Sequence, residues 1–327
     1  MTDDFGYLNA RVRVRRSSLL PEGFFQEALN LNFADFVGTL GETPYGGHLS
    51  GDDLGAVDRA VSARLHEVVG GLPGLVGGET REAVVMLLSR ADLTNIKTIL
   101  RAKETGLPSE EVTAHLVGGT LPEAVWQAMI EAPDAAGVVQ ALVLPGHPLA
   151  AALREAVAAG GALTEMEVAL DRAYFENLRN LAKRLDDAFL HDYLAYEIDG
   201  VNLSTAFKLA QQGGASDTDA YFVKGGRYVN EALFARIAGG EVEAVEELSG
   251  TALEPLSEAR DLGSLERALR CLLLERARRG AFDGEGAGLV TSFVRAAEWE
   301  GARLRLLARR AYYDLPVEAV EREVFCS

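Results

Sequence analysis

Between Glu79 and Lys103 the apolar residues Val84, Leu87, Leu88, Ala91, Ile96, Ile99 and Leu100 recur three and four positions apart. That interval predicts one long helix with a single inner face. Gly106-Leu107-Pro108 supplies its stop. A second helix is predicted from Leu163 to Phe189, with Met166, Leu170, Phe175, Leu178, Ala182 and Leu185 facing inward, and a third from His191 to Gln211. Leu262 to Arg279 and Gly288 to Tyr313 carry the same period, and Pro316 with the acids after it opens a short terminal helix. Nowhere does an apolar–polar alternation of period two persist, so the expected fold class is all-α. Paired glycines at Gly46-Gly47, Gly70-Gly71, Gly77-Gly78, Gly118-Gly119, Gly213-Gly214 and Gly225-Gly226 separate the helical stretches.

Three of these stretches resemble one another. Asp92-Leu93-Thr94-Asn95-Ile96 through Arg101 matches Asp199-Gly200-Val201-Asn202-Leu203 through Lys208, and more loosely Glu300-Gly301-Ala302-Arg303-Leu304 through Arg309. Each has an acid, a polar group three residues on, an aliphatic at the fourth and a base at the ninth. The acids lie 107 residues apart (92 to 199) and then 101 (199 to 300). A second set of anchors runs upstream: Leu20-Pro21-Glu22, Leu121-Pro122-Glu123 and Val229-Asn230-Glu231, whose glutamates precede the acids by 70, 76 and 69 residues (22 to 92, 123 to 199, 231 to 300). Two anchors in one order at similar spacing predict three copies of a unit of about 100 residues, the usual size of a domain, with approximate threefold symmetry. The expected domains are residues 1–118, 119–226 and 227–327.

On a helix, Asp92, Asn95, Ile96 and Ile99 share one face, as do Asp199, Asn202, Leu203 and Ala206. Acid and amide therefore lie on or beside an apolar stripe, where an unpartnered polar group costs a few kcal/mol. Two readings follow: struts that fix helix register, or a ligand or metal site. In the third copy Glu300 and Arg303 are placed to pair along the helix, and an arginine at a ligand position does not suit a metal.

Composition removes several classes of function. Apolar residues are 48% and charged residues 25%, the balance of a globular protein, and the net charge is −17 with none of the three copies basic. Nucleic-acid binding and direct adsorption to an anionic membrane are disfavoured. Met1-Thr2-Asp3-Asp4 is acidic where a signal peptide is basic, and the most apolar stretch, Ala132 to Leu153, is broken by Asp134, His147 and internal prolines, so no membrane span is expected. Cys271 and Cys326 match no metal spacing and are expected to be two separate thiols. No phosphate-binding loop is present. His48, His66, His115, His147 and His191 have no paired spacing and are expected at the surface or in loops; Asp52-Asp53 and Asp186-Asp187 are expected to start helices in solvent. No catalytic residue, cofactor or metal is therefore expected. The remaining candidates are two arginine clusters, Arg11, Arg13, Arg15 and Arg16, and Arg303, Arg305, Arg309 and Arg310. On so acidic a chain they either dock an acidic partner or are neutralised internally.

Tyr7-Leu8-Asn9-Ala10-Arg11-Val12-Arg13, the Asp92-x-x-Asn95 and Asp199-x-x-Asn202 helices, Val223-Lys224-Gly225-Gly226-Arg227, and Trp299-Glu300-Gly301-Ala302-Arg303-Leu304-Arg305 together resemble the C subunit of the bacterial and archaeal V/A-type ATP synthase, the family of the eukaryotic V-ATPase d subunit. The resemblance covers nearly the whole chain in order. It implies an all-helical funnel of three similar domains around a central cavity, held on the cytoplasmic side of the membrane by protein partners. It further implies a non-catalytic rotor part of a proton-translocating complex, seating the D and F subunits of the central stalk on the membrane proteolipid ring and transmitting torque. The residues alone leave two rivals: a helical scaffold unrelated to rotary motors, and an all-helical enzyme using Asp92 and Asp199.

Overall fold

The computed structural model describes residues 4–117, 119–215 and 218–326, excepting the side chains of Ala114 and His115. Gly118, the expected boundary between the first two copies, lies outside the described residues. Among those described no strand forms; the chain is helical throughout, as its periodicity requires. In order the helices are α1 (Phe5–Arg16), α2 (Glu22–Ala28), α3 (Phe33–Gly41), α4 (Leu54–Val69), α5 (Gly78–Thr105), α6 (Ser109–His115), α7 (Glu123–Glu131), α8 (Ala135–Val143), α9 (Ala150–Ala158), α10 (Leu163–Arg184), α11 (Ala188–Gln211), α12 (Glu231–Ala238), α13 (Leu262–Arg279), α14 (Gly288–Tyr312) and α15 (Val317–Val324).

Short polar side chains set many of the starts. Asp53, Asn230 and Asp261 accept the backbone N–H of Ala56, Leu233 and Ser264 at 2.7, 2.9 and 2.9 Å, filling donors that the first turn leaves unpaired. Pro21, Pro108 and Pro316 stand just ahead of α2, α6 and α15. One expected boundary moves. Instead of a helix reaching Phe189, α10 stops at Arg184 because Asp186 takes a left-handed conformation (φ 51°) and Asp187 accepts the Leu190 N–H to begin α11. Asp187 thus starts a helix as expected, but it is buried rather than in solvent. The cysteines also differ from expectation: neither is free, and both are disulfide-bonded.

By internal contact the chain forms two compact units, one of Met1–Thr98, Leu107–Pro122 and Ala281–Ser327, the other of Ile99–Gly106 and Glu123–Gly280. In the first, α14 lies against α1, α2, α3, α4 and α15, and Phe25, Phe36, Leu40 and Val61 share a core with Leu304, Leu307 and Val324. In the second, α10 packs on α9 and α11, and α11 on α12 and α13 around Leu203, Phe207, Phe234, Ile237 and Leu265. Two long helices pack on helices outside the expected copy to which they belong: α11 on α12 and α13, and α14 on α1 to α4. The residue after each of two repeated acids permits this. A Cβ on Gly200 would lie 2.5 Å from Leu269 of α13, and one on Gly301 would lie 3.0 Å from Val61 of α4, so a side chain at either would push the helices apart.

Candidate functional site

Asp199 and Asn202 lie one turn apart on α11 and are fully buried. Asp199 Oδ2 accepts the backbone N–H groups of Arg227 and Tyr228, and Oδ1 that of Val229, each at 3.0 Å. Asn202 holds the same segment at Val223, donating to its carbonyl and accepting from its N–H, both at 2.8 Å. Burial raises the Asp199 carboxyl above its ordinary range, and the three backbone donors pull it part of the way back. Gly226 is required by this approach, since a Cβ there would stand 2.1 Å from Asp199 Oδ1.

From the other side α10 holds the carbonyls of the segment. Arg172 donates to the Asp219 and Phe222 oxygens at 3.0 and 2.9 Å, and Arg179 to that of Lys224 at 3.1 Å. Beside it opens a cleft of about 970 Å³, lined among others by Arg179, Lys183, His191, Lys224 and Arg227. Its cations are opposed: Arg227 pairs with Asp192 at 2.5 Å and Lys224 with Glu231 at 3.6 Å, while Glu176 and Asp186 also face the opening.

The first copy repeats the device. Asp92 Oδ1 accepts the Thr120 N–H at 2.7 Å, its other oxygen takes the Thr120 hydroxyl, and Asn95 brackets Val117 by donating to its carbonyl at 2.7 Å and accepting from its N–H at 2.8 Å. In the third copy Glu300 and Arg303 do not form the expected pair. Glu300 accepts the Leu20 N–H at 2.6 Å and the Tyr45 hydroxyl at 2.7 Å, and Arg303 forks onto Glu22 while its guanidinium lies 3.7 Å from the Phe25 ring centre. Both reach into the first copy because α2 and α14 share one core, which brings Glu22 within the span of Arg303. Burial raises the Glu300 carboxyl, and the same buried contact raises Tyr45.

Set side by side, the three acids have one task. Each takes a backbone N–H just ahead of a helix that starts with glutamate: Thr120 before Glu123, Val229 before Glu231, Leu20 before Glu22. Asp92 thus holds the entry of α7, Asp199 that of α12 and Glu300 that of α2. The clue is present in the sequence, where 31 residues separate Asp92 from Glu123 and 32 separate Asp199 from Glu231. A carboxylate whose lone pairs are filled by backbone donors is a poor proton acceptor for a substrate. Among the described residues no cluster of His, Cys, Asp and Glu is arranged to hold a metal, and no helix is long and apolar enough to cross a membrane.

The arginine clusters part company. Arg305 donates to Ser62 at 2.7 Å and lies 3.6 Å from Asp58, Arg309 forks onto Asp58 at 3.1 Å, and Arg310 donates to the Leu31 carbonyl at 2.8 Å. Arg15 is half-buried and donates to the Val68 carbonyl at the end of α4 at 2.9 Å. Arg11, Arg13 and Arg16 are exposed. Of the histidines, His147 lies in the loop between α8 and α9, as expected, where it is buried and accepts the Leu149 N–H at 3.2 Å, and His48 meets Glu67 at 2.9 Å; the His115 side chain lies outside the described residues.

Fold and site define an all-helical protein in which buried acids on long helices hold the backbone at the entries of other helices. The family model described as ATP synthase (C/AC39) subunit matches residues 8–323, and the chain belongs to that family. It is 54% identical over the full length of both chains to the V-type ATP synthase C subunit of Thermus thermophilus. It is 34% identical to that of Deinococcus radiodurans, covering 99% of this chain and 92% of the relative, and 28% identical to the A-type ATP synthase C subunit of Haloferax volcanii, covering 97% and 96%. The protein is thus a component of a rotary ATPase.

Proposed function

We propose that this chain is the rotor socket of a V/A-type proton-translocating ATP synthase. It joins the D and F subunits of the central stalk to the membrane proteolipid ring, peripherally and on the cytoplasmic side, and passes torque between them without chemistry of its own. The observation that carries this reading is the family match from residue 8 to 323. The clamps support it physically. A coupling part must resist shear between its segments, and buried acids that each bind the entry of the next copy oppose such slippage. In this reading the three copies, residues 1–118, 119–226 and 227–327, stand in pseudo-threefold order around a central cavity that receives the stalk. The cup holds an asymmetric stalk, so its copies contribute unequally, and the third, where arginine replaces the amide, is the odd one. Saturation of Asp92 and Asp199 by the backbone disfavours an enzyme using them.

Reconstitution tests the reading. Proteolipid rings in vesicles, combined with head and stalk, are expected to couple ATP hydrolysis to proton uptake only when this chain is added. Full coupling without it refutes the proposal. A turnover by the isolated protein that Asp92→Asn abolished with folding intact would restore the enzyme reading.

A further inference from the structure

The exposed side of α1 is built like an interface. Phe5, Leu8, Asn9 and Val12 face inward, and outward lie Tyr7, Ala10 and Val14, at positions i, i+3 and i+7. Tyr7 is 45% exposed and Val14 73%. On helical spacing this apolar stripe runs between Arg11 on one flank and Arg13 on the other, while Arg16 is exposed at the C-terminal end of the helix on the side away from the stripe. The helix holds no carboxylate. Its neighbour, the loop after Phe282, runs alongside, with Asn9 donating to the Gly286 carbonyl at 3.0 Å and Gly284 next to Arg13. In that loop Asp283 is occupied by the N–H groups of Glu285, Gly286 and Gly288, leaving Glu285 as its free acid, and Phe282 is 92% exposed. Arg11, Arg13 and Arg16 form no ion pair among the described residues, on a chain of 49 acids and net charge −17.

We infer that this face of α1 docks an acidic protein surface of the same assembly, with Tyr7 and Val14 at the apolar centre, Arg11 and Arg13 on the rim, and Arg16 adding charge at the helix end. The inference rests on the rotary reading. An apolar centre with an arginine rim is the anatomy of protein interfaces, and charge complementarity sets the partner's sign. An anionic bilayer is the weaker occupant, because the rest of the chain is repelled by it.

The test uses the full chain and, as probe, the native complex stripped of this subunit. Binding of wild type and of Arg11→Glu/Arg13→Glu/Arg16→Glu is measured over a range of salt, with melting curves for both; Arg13→Glu alone serves if the triple variant melts early. Wild type is expected to rebind and the reversed variant to bind about tenfold or more weakly, with a shallower salt dependence. Equal binding by both overturns the inference and leaves the rotary reading standing; failure of wild type to rebind sinks both. Two other outcomes overturn it in favour of another occupant. One is arginine-dependent binding to phosphatidylglycerol vesicles with affinity for the complex unchanged. The other is an arginine-dependent dimer in sedimentation with that affinity again unchanged.

Discussion

The chain has two arginine-rich helices, and their charges meet opposite fates. On α14, Arg303, Arg305, Arg309 and Arg310 turn into the first unit and find Glu22, Asp58, Ser62 and the Leu31 carbonyl. On α1, Arg11, Arg13 and Arg16 turn outward and find no carboxylate among the described residues. The two sequences are alike in spacing and density, so the difference lies in what surrounds each helix. α14 is packed on five other helices and its cations are taken from water, which requires partners. α1 is covered on one side only. Arginine density therefore marks a demand for anions without saying whether the protein or a partner supplies them.

The sharpest way to break this contrast is to remove the anion that two half-buried arginines share. Asp58 is 13% exposed and faces both Arg305 and Arg309. Burial and the neighbouring Arg309 already lower the Arg305 pKa, with Asp58 opposing them. Asp58→Ala leaves two like charges side by side, and a loss of about 3 kcal/mol in urea unfolding is expected, the lower end for an uncompensated buried charge because the groups keep part of their water. A loss under about 1 kcal/mol, the value of an exposed pair, would show that α14 is no more committed inward than α1.

The clamps come next in size. Asp199 serves three backbone N–H groups, and Asp199→Asn brings an amide N–H₂ toward donors that need acceptors. About 2–3 kcal/mol is expected to be lost. Asp92→Asn is expected to cost less, about 1–2 kcal/mol, because one of its partners is a hydroxyl that can turn to another acceptor. Equal losses would mean that the count of backbone donors does not set the strength of a clamp.

Glu300 sharpens the comparison through pH. Its folded carboxyl is raised by burial, so between the unfolded value near 4.5 and the raised folded value the native state binds more proton than the unfolded chain. The stability it contributes is whole below that window and declines as pH rises through it. Glu300→Gln is therefore expected to flatten the dependence of unfolding free energy on pH above 4.5, the gap between wild type and variant narrowing toward neutrality. A gap that widens with pH would reverse the sign and place Glu300 among ordinary paired surface acids.

Much of this is legible in the residues. The period of apolar positions locates α5, α13, α14 and α15 almost to the residue, because their apolar residues keep helical spacing and a proline, glycine or acid stands at their ends. Apolar spacing places the break between α10 and α11 too late, since it does not report the left-handed turn that Asp186 enters. The acid–polar pairs are visible as repeats and as struts, but the direction of their reach is not. Glu300 and Arg303 sit one turn apart and satisfy a local rule for pairing; contacts to Leu20 and Glu22, some 280 residues away, overrule it. Likewise the fate of each arginine cluster depends on neighbours brought in by the fold: Asp58 for α14, and for α1 the Val68 carbonyl at Arg15 but, among the described residues, no carboxylate at Arg11, Arg13 or Arg16.

The smallest effect is expected on α1, and it matters because it separates docking from folding. Burial, and after it repulsion by Arg11, lower the pKa of the half-buried Arg15, so in isolation Arg11 works slightly against the native state. Arg11→Ala is expected to leave unfolding free energy unchanged or raised by up to about 0.5 kcal/mol, and Arg13→Ala to change it by no more than that, the usual range at an exposed position without partners. Added salt should shrink the Arg11 effect, since exposed charges are screened within about 10 Å at 0.1 M. Urea titrations at low and high salt measure both. A loss above about 1 kcal/mol on either substitution would mean that α1, like α14, uses its arginines to hold its own fold. Near-zero values instead leave three guanidiniums that folding does not require, and only an interaction outside the chain accounts for keeping them together on one helix.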